Sequence, residues 1–493
     1  MKEQSKFSKV LSILLSIVLI ISSFYLLYQV IRLNVLPSKF LFPLTIGVVV
    51  LDAIFILLLV YFSKNVVSKI ICIVLTLFIC AASCMGGYYI SKTQGALSNI
   101  TSVAKHAKNT VSVIVKESSS IKNKSQLNGV SVGSLRLNEQ GSKKALKELS
   151  GEGIVLNQTE YDSMTALLEA FYNGEVDSII INESSRSQIL DMEAYSNFDS
   201  NTRVVYQTSY KVKNNDSAAS VSDITSKPFN VLISGSDTRG GFDENGRSDV
   251  IMVATVNPKT HTILLTSVPR DFYVTTACDA GDGCMQGALD KITHTGIHGT
   301  NTTKRTVEQL LGIEINYTFK VGFDTVTELV DILGGVDVYV EPGYATTTSE
   351  FSVHEGVNHL NAQQALAFAR ERYSYTEGDR QRTKNQQQVL MGIVKEATKP
   401  SVITNYAAIM DTMANTFSTT MSNEEITALI KYQLNNNPTW KMEQYMVDGT
   451  GDTLMCAELG DAASVMVPDQ STVKLAKDKI NAVLAGKSSE DVK

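Results

Sequence analysis

The segment ARERYSYTEGDRQRTKNQQQ, residues 369–388, gathers Arg370, Arg372, Arg380, Arg382 and Lys384 in a chain whose formal net charge is −6. Arginine holds phosphate oxygens bidentately, so clustered arginines suit a di- or triphosphate group. Arg382 and Gln386 are four apart and share one face of a helix. Arg370 and Arg372 are two apart. They diverge in a continuing helix and can face one site only if the helix ends near them, for which YSYTEGD offers an exit loop. A solvated helical face balanced by Glu371, Glu377 and Asp379 accounts for the same residues, and composition leaves both readings open.

Two further groups could join such a site. GSDTRGG places Asp237 and Arg239 in a Gly-rich turn after an apolar run, and GRSDV places Arg247 and Asp249 at the start of the next one. Two carboxylates at neighbouring strand ends can share a hard cation such as Mg2+, which takes oxygen ligands. Ordinary turn aspartates are the alternative. SVPRD puts Arg270 and Asp271 at the exit of a third strand, where α/β folds open their ligand crevice. A surface ion pair of little energetic weight is the alternative there.

Several chemistries are excluded. The chain has no G-x-x-x-x-G-K-[ST] loop and no G-x-S-x-G elbow, which removes a P-loop nucleotide site and an obvious esterase serine. HTGIH sets His294 and His298 four apart without the Glu of a zinc-protease helix. No C-x-x-C pair suggests a zinc ribbon. An acidic chain with no room for a helix-turn-helix in its short head is not a nucleic-acid binder.

The elements that must position these residues follow from apolar patterning. Of 493 residues, 44% are apolar, concentrated in three N-terminal runs: Val10–Ile31, Phe40–Phe62 and about 70–90. Each reaches the ~20 residues that cross a hydrocarbon core. Lys2, Lys6 and Lys9 precede the first run, so the positive-inside rule puts the N-terminus in the cytoplasm and everything after about residue 91 outside. Asp52, within the second run, reads as a protonated or helix-paired side chain rather than a functional polar contact. Residues 91–225 read as a polar stalk, a small accessory α/β domain and a Ser/Asn/Asp-rich linker from Lys211 to Pro228. In the accessory domain a helix, a turn at Gly174 and the buried strand DSIIIN imply some parallel pairing. Residues 226–485 read as a larger α/β domain, and 486–493 as a polar tail. Asn361 with Gln364 suits a capping box, and Asp379 is placed to cap the helix that carries Arg382. Cys278 and Cys284 bracket a short loop that could close as a disulfide in an oxidising compartment.

Six blocks, NVLISGSDTRGG…GRSDVIMVATVNP, LLTSVPRDFYV, DKITHTGIHG, LVDILGGVDVYV, LNAQQALAFARER and GDRQRTKNQQQVL, stand in an order that resembles LytR-CpsA-Psr (LCP) proteins. The resemblance is strong over residues 228–395 and weaker to about 485. Three spans plus an extra outer domain look like the capsule branch of that family. The resemblance implies an α/β domain with a central mixed sheet flanked by helices. It also implies a plasma-membrane, multi-pass phosphotransferase that moves a glycopolymer, capsular polysaccharide above all, from undecaprenyl pyrophosphate to peptidoglycan. Its implied partners are that lipid-linked polysaccharide, peptidoglycan, the cell membrane and the capsule synthesis machinery. It places Mg2+ on Asp237 and Asp249. Pyrophosphate falls on Arg247, Arg270, Lys291, Arg370, Arg372, Arg382 and Gln386, and catalysis on Asp237, Arg270 and Arg382. Asp237 and Asp271 are both candidates for the base. Arg380, Lys384 and Asn385 fall outside that set. A lipid-pyrophosphate hydrolase using the same residues and a non-enzymatic regulator of capsule synthesis are the competing readings.

Overall fold

The computed structural model describes residues 6–62, 65–103, 106–136, 139–213, 218–236, 244–279, 283–399 and 402–493. The chain forms two compact units. One comprises residues 1–99, 398–414 and 422–438, and the other residues 100–397, 415–421 and 439–493.

The first unit is built on helices α1 (Lys6–Leu33), α2 (Ser38–Leu57) and α3 (Val66–Val103). Three spans, Ser8–Leu33, Ser38–Phe62 and Val66–Thr101, are long and apolar enough to cross a membrane. Their outward faces carry exposed Ile13, Phe24, Phe42 and Phe78, as a lipid-facing surface requires. Asp52 accepts a hydrogen bond from Ser23 Oγ at 2.9 Å, the helix-paired state expected of it. The polar stalk is the C-terminal end of α3 itself. Two later helices, residues 402–416 and 423–436, lie in this unit. Lys92 pairs with Asp411 at 2.9 Å, Lys39 Nζ donates to the Asn435 carbonyl, and Lys431 Nζ donates to Asn34 Oδ1, each of the last two at 2.5 Å. These helices therefore meet the α1–α2 turn and the far end of α3.

The second unit begins with a five-stranded sheet. Its elements are β1 (His106–Lys116), β2 (Ser131–Leu135), α4 (Glu139–Gly151), β3 (Asn157–Tyr161), α5 (Met164–Asn173), β4 (Ser178–Asn182), α6 (Arg186–Asp191), α7 (Phe198–Asn201) and β5 (Thr202–Lys213). The order is β3-β2-β4-β1-β5, with β2 parallel to β3 and β4 as the strand–helix–strand pattern required. β4 is buried on both faces, which is why its sequence is a continuous apolar run. Ile180 packs with Ala145 and Leu149 of α4 on one side. Ile179 and Ile181 pack with Leu167, Leu168 and Phe171 of α5 on the other. Ser163 Oγ caps α5 at the Ala166 N–H, and Gly174 ends it at φ 80°. β5 runs through Lys213, so the first three residues of the expected linker are strand.

The larger domain follows. Its first elements are β6 (Phe229–Ser236), β7 (Val250–Asn257), β8 (Thr262–Ser267), β9 (Tyr273–Thr275), β10 (Leu289–Lys291), α8 (Thr300–Leu311), β11 (Tyr317–Gly322) and α9 (Phe323–Leu333). β12 (Val336–Val340), β13 (Thr346–Thr347), β14 (Ser352–Val353), β15 (Gly356–Leu360), α10 (Ala362–Arg370) and α11 (Asp379–Ala397) come next. α12 (Val402–Thr416) and α13 (Asn423–Asn436), the helices of the first unit, flank β16 (Phe417–Thr419). β17 (Lys441–Met446), β18 (Gly449–Cys456), β19 (Asp461–Pro468) and α14 (Gln470–Leu484) complete the chain.

The central sheet has the order β16-β11-β6-β7-β8-β17 and is mixed: β11 runs parallel to β6 and β17 parallel to β8, while the other pairs are antiparallel. Strand alternation sends Leu232, Ile251, Val253 and Leu264 to one face. There they pack on Val307 and Leu311 of α8 and Val473, Ala476 and Ile480 of α14. Each fully buried side chain of this size contributes ~1.5–3 kcal/mol. The opposite face is covered by α9, α10 and α11. Asn361 and Gln364 form the expected capping box at the start of α10. Cys278 and Cys284 are joined by a disulfide.

Candidate active site

Of the arginines in residues 369–388, Arg382 and Arg372 come close to the groups at the strand ends of the central sheet. α10 ends at Arg370, with Glu371 already extended at φ −68° and ψ 128°, and α11 restarts at Asp379. The helix thus ends between Arg370 and Arg372, the condition under which the two can face one site. Arg370 is exposed. Arg372 lies over the Tyr373 ring and donates to its hydroxyl at 2.7 Å. Asp379, in the first turn of α11, holds Arg382 at 2.5 Å and stands 3.9 Å from Arg372. It therefore orients Arg382.

Asp249 sits at the head of β7. Its N–H donates to the Gly235 carbonyl at 2.8 Å, and the preceding Ser248 N–H donates to Thr293 O at 3.0 Å. Gly296 makes this docking possible: a Cβ there would fall 2.5 Å from the Gly246 carbonyl oxygen and 2.6 Å from the Ser248 nitrogen. From β8 the chain turns through Pro269 so that Arg270 donates to Asp249 Oδ1 at 2.8 Å and lies 3.7 Å from Asp271. Lys291, at the end of β10, pairs with Asp271 at 3.3 Å. Arg247 lies 4.0 Å from Asp249 and bonds directly to Asp191 of α6. One continuous chain of pairs thus joins Asp191, Arg247, Asp249, Arg270, Asp271 and Lys291, with Asp379, Arg372 and Arg382 beside it.

The electrostatics leave positive charge over. Burial opposes the Arg270 charge, but Asp249, Asp271 and Asp379 outweigh it and raise its pKa. Arg382 goes the other way. Burial, with repulsion from Arg270 and Arg372, depresses its pKa despite Asp379. Among the described residues, Arg247 Nε and Arg270 Nε are buried without a hydrogen-bond acceptor, with Asp271 3.7 Å from Arg270 Nε. Buried guanidinium donors are rarely left open, so these two demand an anion.

Arg382 and Gln386 share one face of α11, and Gln386 lines an apolar cavity of ≈ 80 Å3 between the sheet and α9–α11. Ile233, Met252, Val326, Leu366 and Ile393 form its walls. The remaining cations of the cluster are engaged elsewhere: Arg380 with Asp448 at 2.8 Å and Lys384 with Glu341 at 3.0 Å. Asn385 is buried and donates to the Phe368 carbonyl, tying α11 to α10. The HTGIH histidines are structural. His294 bonds Asp290 at 2.7 Å and His298 bonds Glu458 at 2.9 Å. Burial pushes the Asp290 carboxyl up, but His294 and two backbone N–H groups outweigh it and hold it below the usual carboxylate range.

Asp237 and Arg239 lie outside the described residues. Among the described residues no three carboxylate, histidine or cysteine side chains gather as a metal cage. Mg2+ does not need one. It is commonly held by one or two carboxylates together with substrate phosphates, and the largely buried Asp249 beside open guanidinium donors fits that mode. The partner of Arg247 is what the sequence reading missed. Asp191 lies 56 residues away in another domain, and no local signal connects the two.

Comparisons with known proteins point to one family. The LytR_cpsA_psr family model matches residues 194–482. A polyisoprenyl-teichoic acid–peptidoglycan teichoic acid transferase, TagU of Bacillus cereus (strain AH820), is 31% identical over 236 residues, which span 47% of this chain and 74% of that protein. TagU of Bacillus subtilis (strain 168) is 33% identical over 219 residues, 44% of this chain and 67% of the relative. The crystal structure of B. subtilis TagU covers 52% of this chain and 97% of its own at 28% identity, with a TM-score of 0.41.

Proposed function

The chain belongs to the LytR_cpsA_psr family, and from that premise we propose that it is a membrane-anchored phosphotransferase that moves a glycopolymer from a polyprenyl pyrophosphate carrier to peptidoglycan. Capsular polysaccharide is the polymer we favour, because the three spans and the extra outer domain resemble the capsule branch. The observation that carries the reading is the pair of open, buried donors on Arg247 and Arg270, beside Arg382 and next to an apolar cavity. A pyrophosphate with a lipid tail satisfies both features. The curated TagU relatives, named for transfer of a polyisoprenyl-linked polymer to peptidoglycan, support the same chemistry.

In this reaction an acceptor hydroxyl forms a new oxygen–phosphorus bond to the phosphorus that carries the glycan. The bond from that phosphorus to the lipid phosphate breaks, and lipid phosphate leaves. Arg270, Arg382 and Arg247 hold the charge that develops on the phosphoryl oxygens, with Lys291, Arg370, Arg372 and Gln386 completing the proposed anion site. The acceptor proton passes to a carboxylate, Asp237 or Asp271. Mg2+ held by Asp249 with Asp237 would supply further neutralisation of the pyrophosphate. The N-terminus lies in the cytoplasm and the α/β domains outside. This orientation is supported by the basic head and by α12 and α13 meeting the α1–α2 turn and the far end of α3.

The test supplies full-length protein in detergent with a lipid-pyrophosphate-linked oligosaccharide and a peptidoglycan fragment. Glycan should appear on the fragment, stop with Arg270→Ala or on chelation, and return with added Mg2+ in the wild type only. Phosphate release without glycan transfer would replace this reading with hydrolysis.

A further inference from the structure

A second cavity, ≈ 670 Å3 in volume, opens between the first α/β domain and the larger one. That size is within the usual range for small-ligand sites, about 300–1,000 Å3. Its chemistry is unusual. Its floor is the face of β1 and β5 that α5 leaves uncovered, where Thr110 lies opposite Ser209 and Ser112 opposite Gln207. Ser184, between β4 and α6, and Ser187 of α6 form one wall, and Asn245 belongs to the larger domain. Val204 is the single large apolar side chain among the described lining residues.

Apart from Arg247, which belongs to the arginine site, the charged side chains that line the cleft are paired, Arg203 with Glu117 among them. Arg186 holds Glu183 at 2.6 Å and Asp199 at 2.9 Å, and Lys108 lies 3.4 Å from Glu244. The buried Glu244 also accepts from Thr110, and its carbonyl accepts from Lys320 Nζ, so the two walls are fastened together before any ligand arrives. What remains is hydroxyl and amide chemistry. Ser184 Oγ is buried on the lining with no hydrogen-bond partner among the described residues. A protein partner would call for an apolar contact core, and a polyanion would call for unmatched cations. A surface of hydroxyls and amides with an orphaned serine suits a polyhydroxylated ligand.

The cleft also has a fixed place relative to the arginine site. Gly246 and Arg247 line it, whereas the apolar cavity reaches the arginines through Gly235, Ser236, Val250 and Gln386. The two cavities share no lining residue: Arg247 itself lines the cleft, and Gln386, one helical turn from Arg382, lines the apolar cavity. Lipid, pyrophosphate and sugar succeed one another in the same order in a lipid-linked donor.

We infer that this cleft binds the first sugar residues of the lipid-linked donor, so that the accessory domain forms half of a glycan subsite. The inference rests on the phosphotransferase reading above. Its test measures binding to full-length protein in detergent with three probes: farnesyl pyrophosphate, the same pyrophosphate esterified to an N-acetylglucosamine disaccharide, and a muramic-acid-containing disaccharide. Wild-type protein should bind the sugar-bearing pyrophosphate at least tenfold more tightly than farnesyl pyrophosphate. Ser209→Trp, which fills the cleft, should erase that gain and leave farnesyl pyrophosphate affinity within twofold. Ser184→Ala, which removes a hydroxyl with no partner among the described residues, should reduce the gain several-fold without changing Tm. A gain that survives Ser209→Trp, or no gain in the wild type, overturns the inference. So does a loss confined to the muramic disaccharide, which would make the cleft an acceptor site. Failure of the wild type to bind any pyrophosphate would instead defeat the phosphotransferase reading.

Discussion

Replacing Arg382 by alanine isolates the charge that the fold leaves least compensated. The side chain is 14% exposed, so its guanidinium acts in a partly desolvated setting. Two charge-assisted hydrogen bonds to phosphoryl oxygens are worth ~1.5–3 kcal/mol each, or about 3–6 kcal/mol together. That corresponds to a loss of roughly 10²- to 10⁴-fold in kcat/KM. The fold should not share the loss. Asp379 keeps Arg372 at 3.9 Å and stands in the first turn of α11, where the helix dipole favours a carboxylate. Removing Arg382 also relieves its repulsion with Arg270 and Arg372, so Tm should hold or rise. Arg382→Lys keeps the charge but not the fork and should fall between. The assay is glycan transfer from a lipid-pyrophosphate donor at several donor concentrations, with thermal unfolding in parallel. A loss under tenfold, or a loss tracking a fallen Tm, refutes the reasoning.

Val326→Trp fills the apolar cavity beside the arginine site and should raise KM at least tenfold for undecaprenyl and farnesyl donors alike, since both share the isoprene nearest the pyrophosphate; an unchanged KM for both would divorce the cavity from the lipid. Gly296→Ala forces a Cβ against the Gly246 carbonyl and should lower Tm by several degrees and activity by more than tenfold, read by unfolding and transfer assays. Acid should destabilise the larger α/β domain through Glu443. Its side chain is 1% exposed, and although burial pushes its pKa up, Lys441, Ser488 and Ser489 bring it down to about 2. A depressed carboxylate contributes stability above its unfolded pKa and loses it as pH falls from ~4.3 toward 2. Allowing for water at the half-exposed Lys441, the contribution is about 2 kcal/mol. Urea unfolding at pH 7 and pH 3 should show Glu443→Gln less acid-sensitive than wild type, and identical pH dependence would count against the assignment.

Much of the frame was legible because its signals are local. Three apolar runs gave three spans, and DSIIIN read as a strand buried on both faces. Asn361 with Gln364 marked a helix start, and Gly378 in YSYTEGD lay just before the next one. Arg382 and Gln386 were tied by helical spacing alone. The pairing of Arg247 with Asp191 was not legible, because two ordinary surface-type residues in separate domains carry no pattern until both domains are folded. β17 was missed for a related reason. KMEQYM alternates weakly, and its place beside β8 comes from parallel register across more than 170 residues of chain. α12 and α13 look like any amphipathic helices, and nothing in their sequences announces which unit they join. Lys384 and Arg380 could be set apart from the other cations, but the partners that occupy them, Glu341 and Asp448, could not be named.

The route of the chain between its two units bears on how the protein is made. The chain passes from one unit to the other at 99/100, 397/398, 414/415, 421/422 and 438/439. The membrane-proximal unit therefore lacks its last two helices until residue 438 has been synthesised, 339 residues after the end of its first stretch at residue 99. At ~5–20 residues per second, that delay is about 20–70 s. For that time the α1–α2 turn and the far end of α3 wait without α12 and α13. Any truncation before residue 402 leaves them waiting permanently, even when the strands of the first α/β domain are intact.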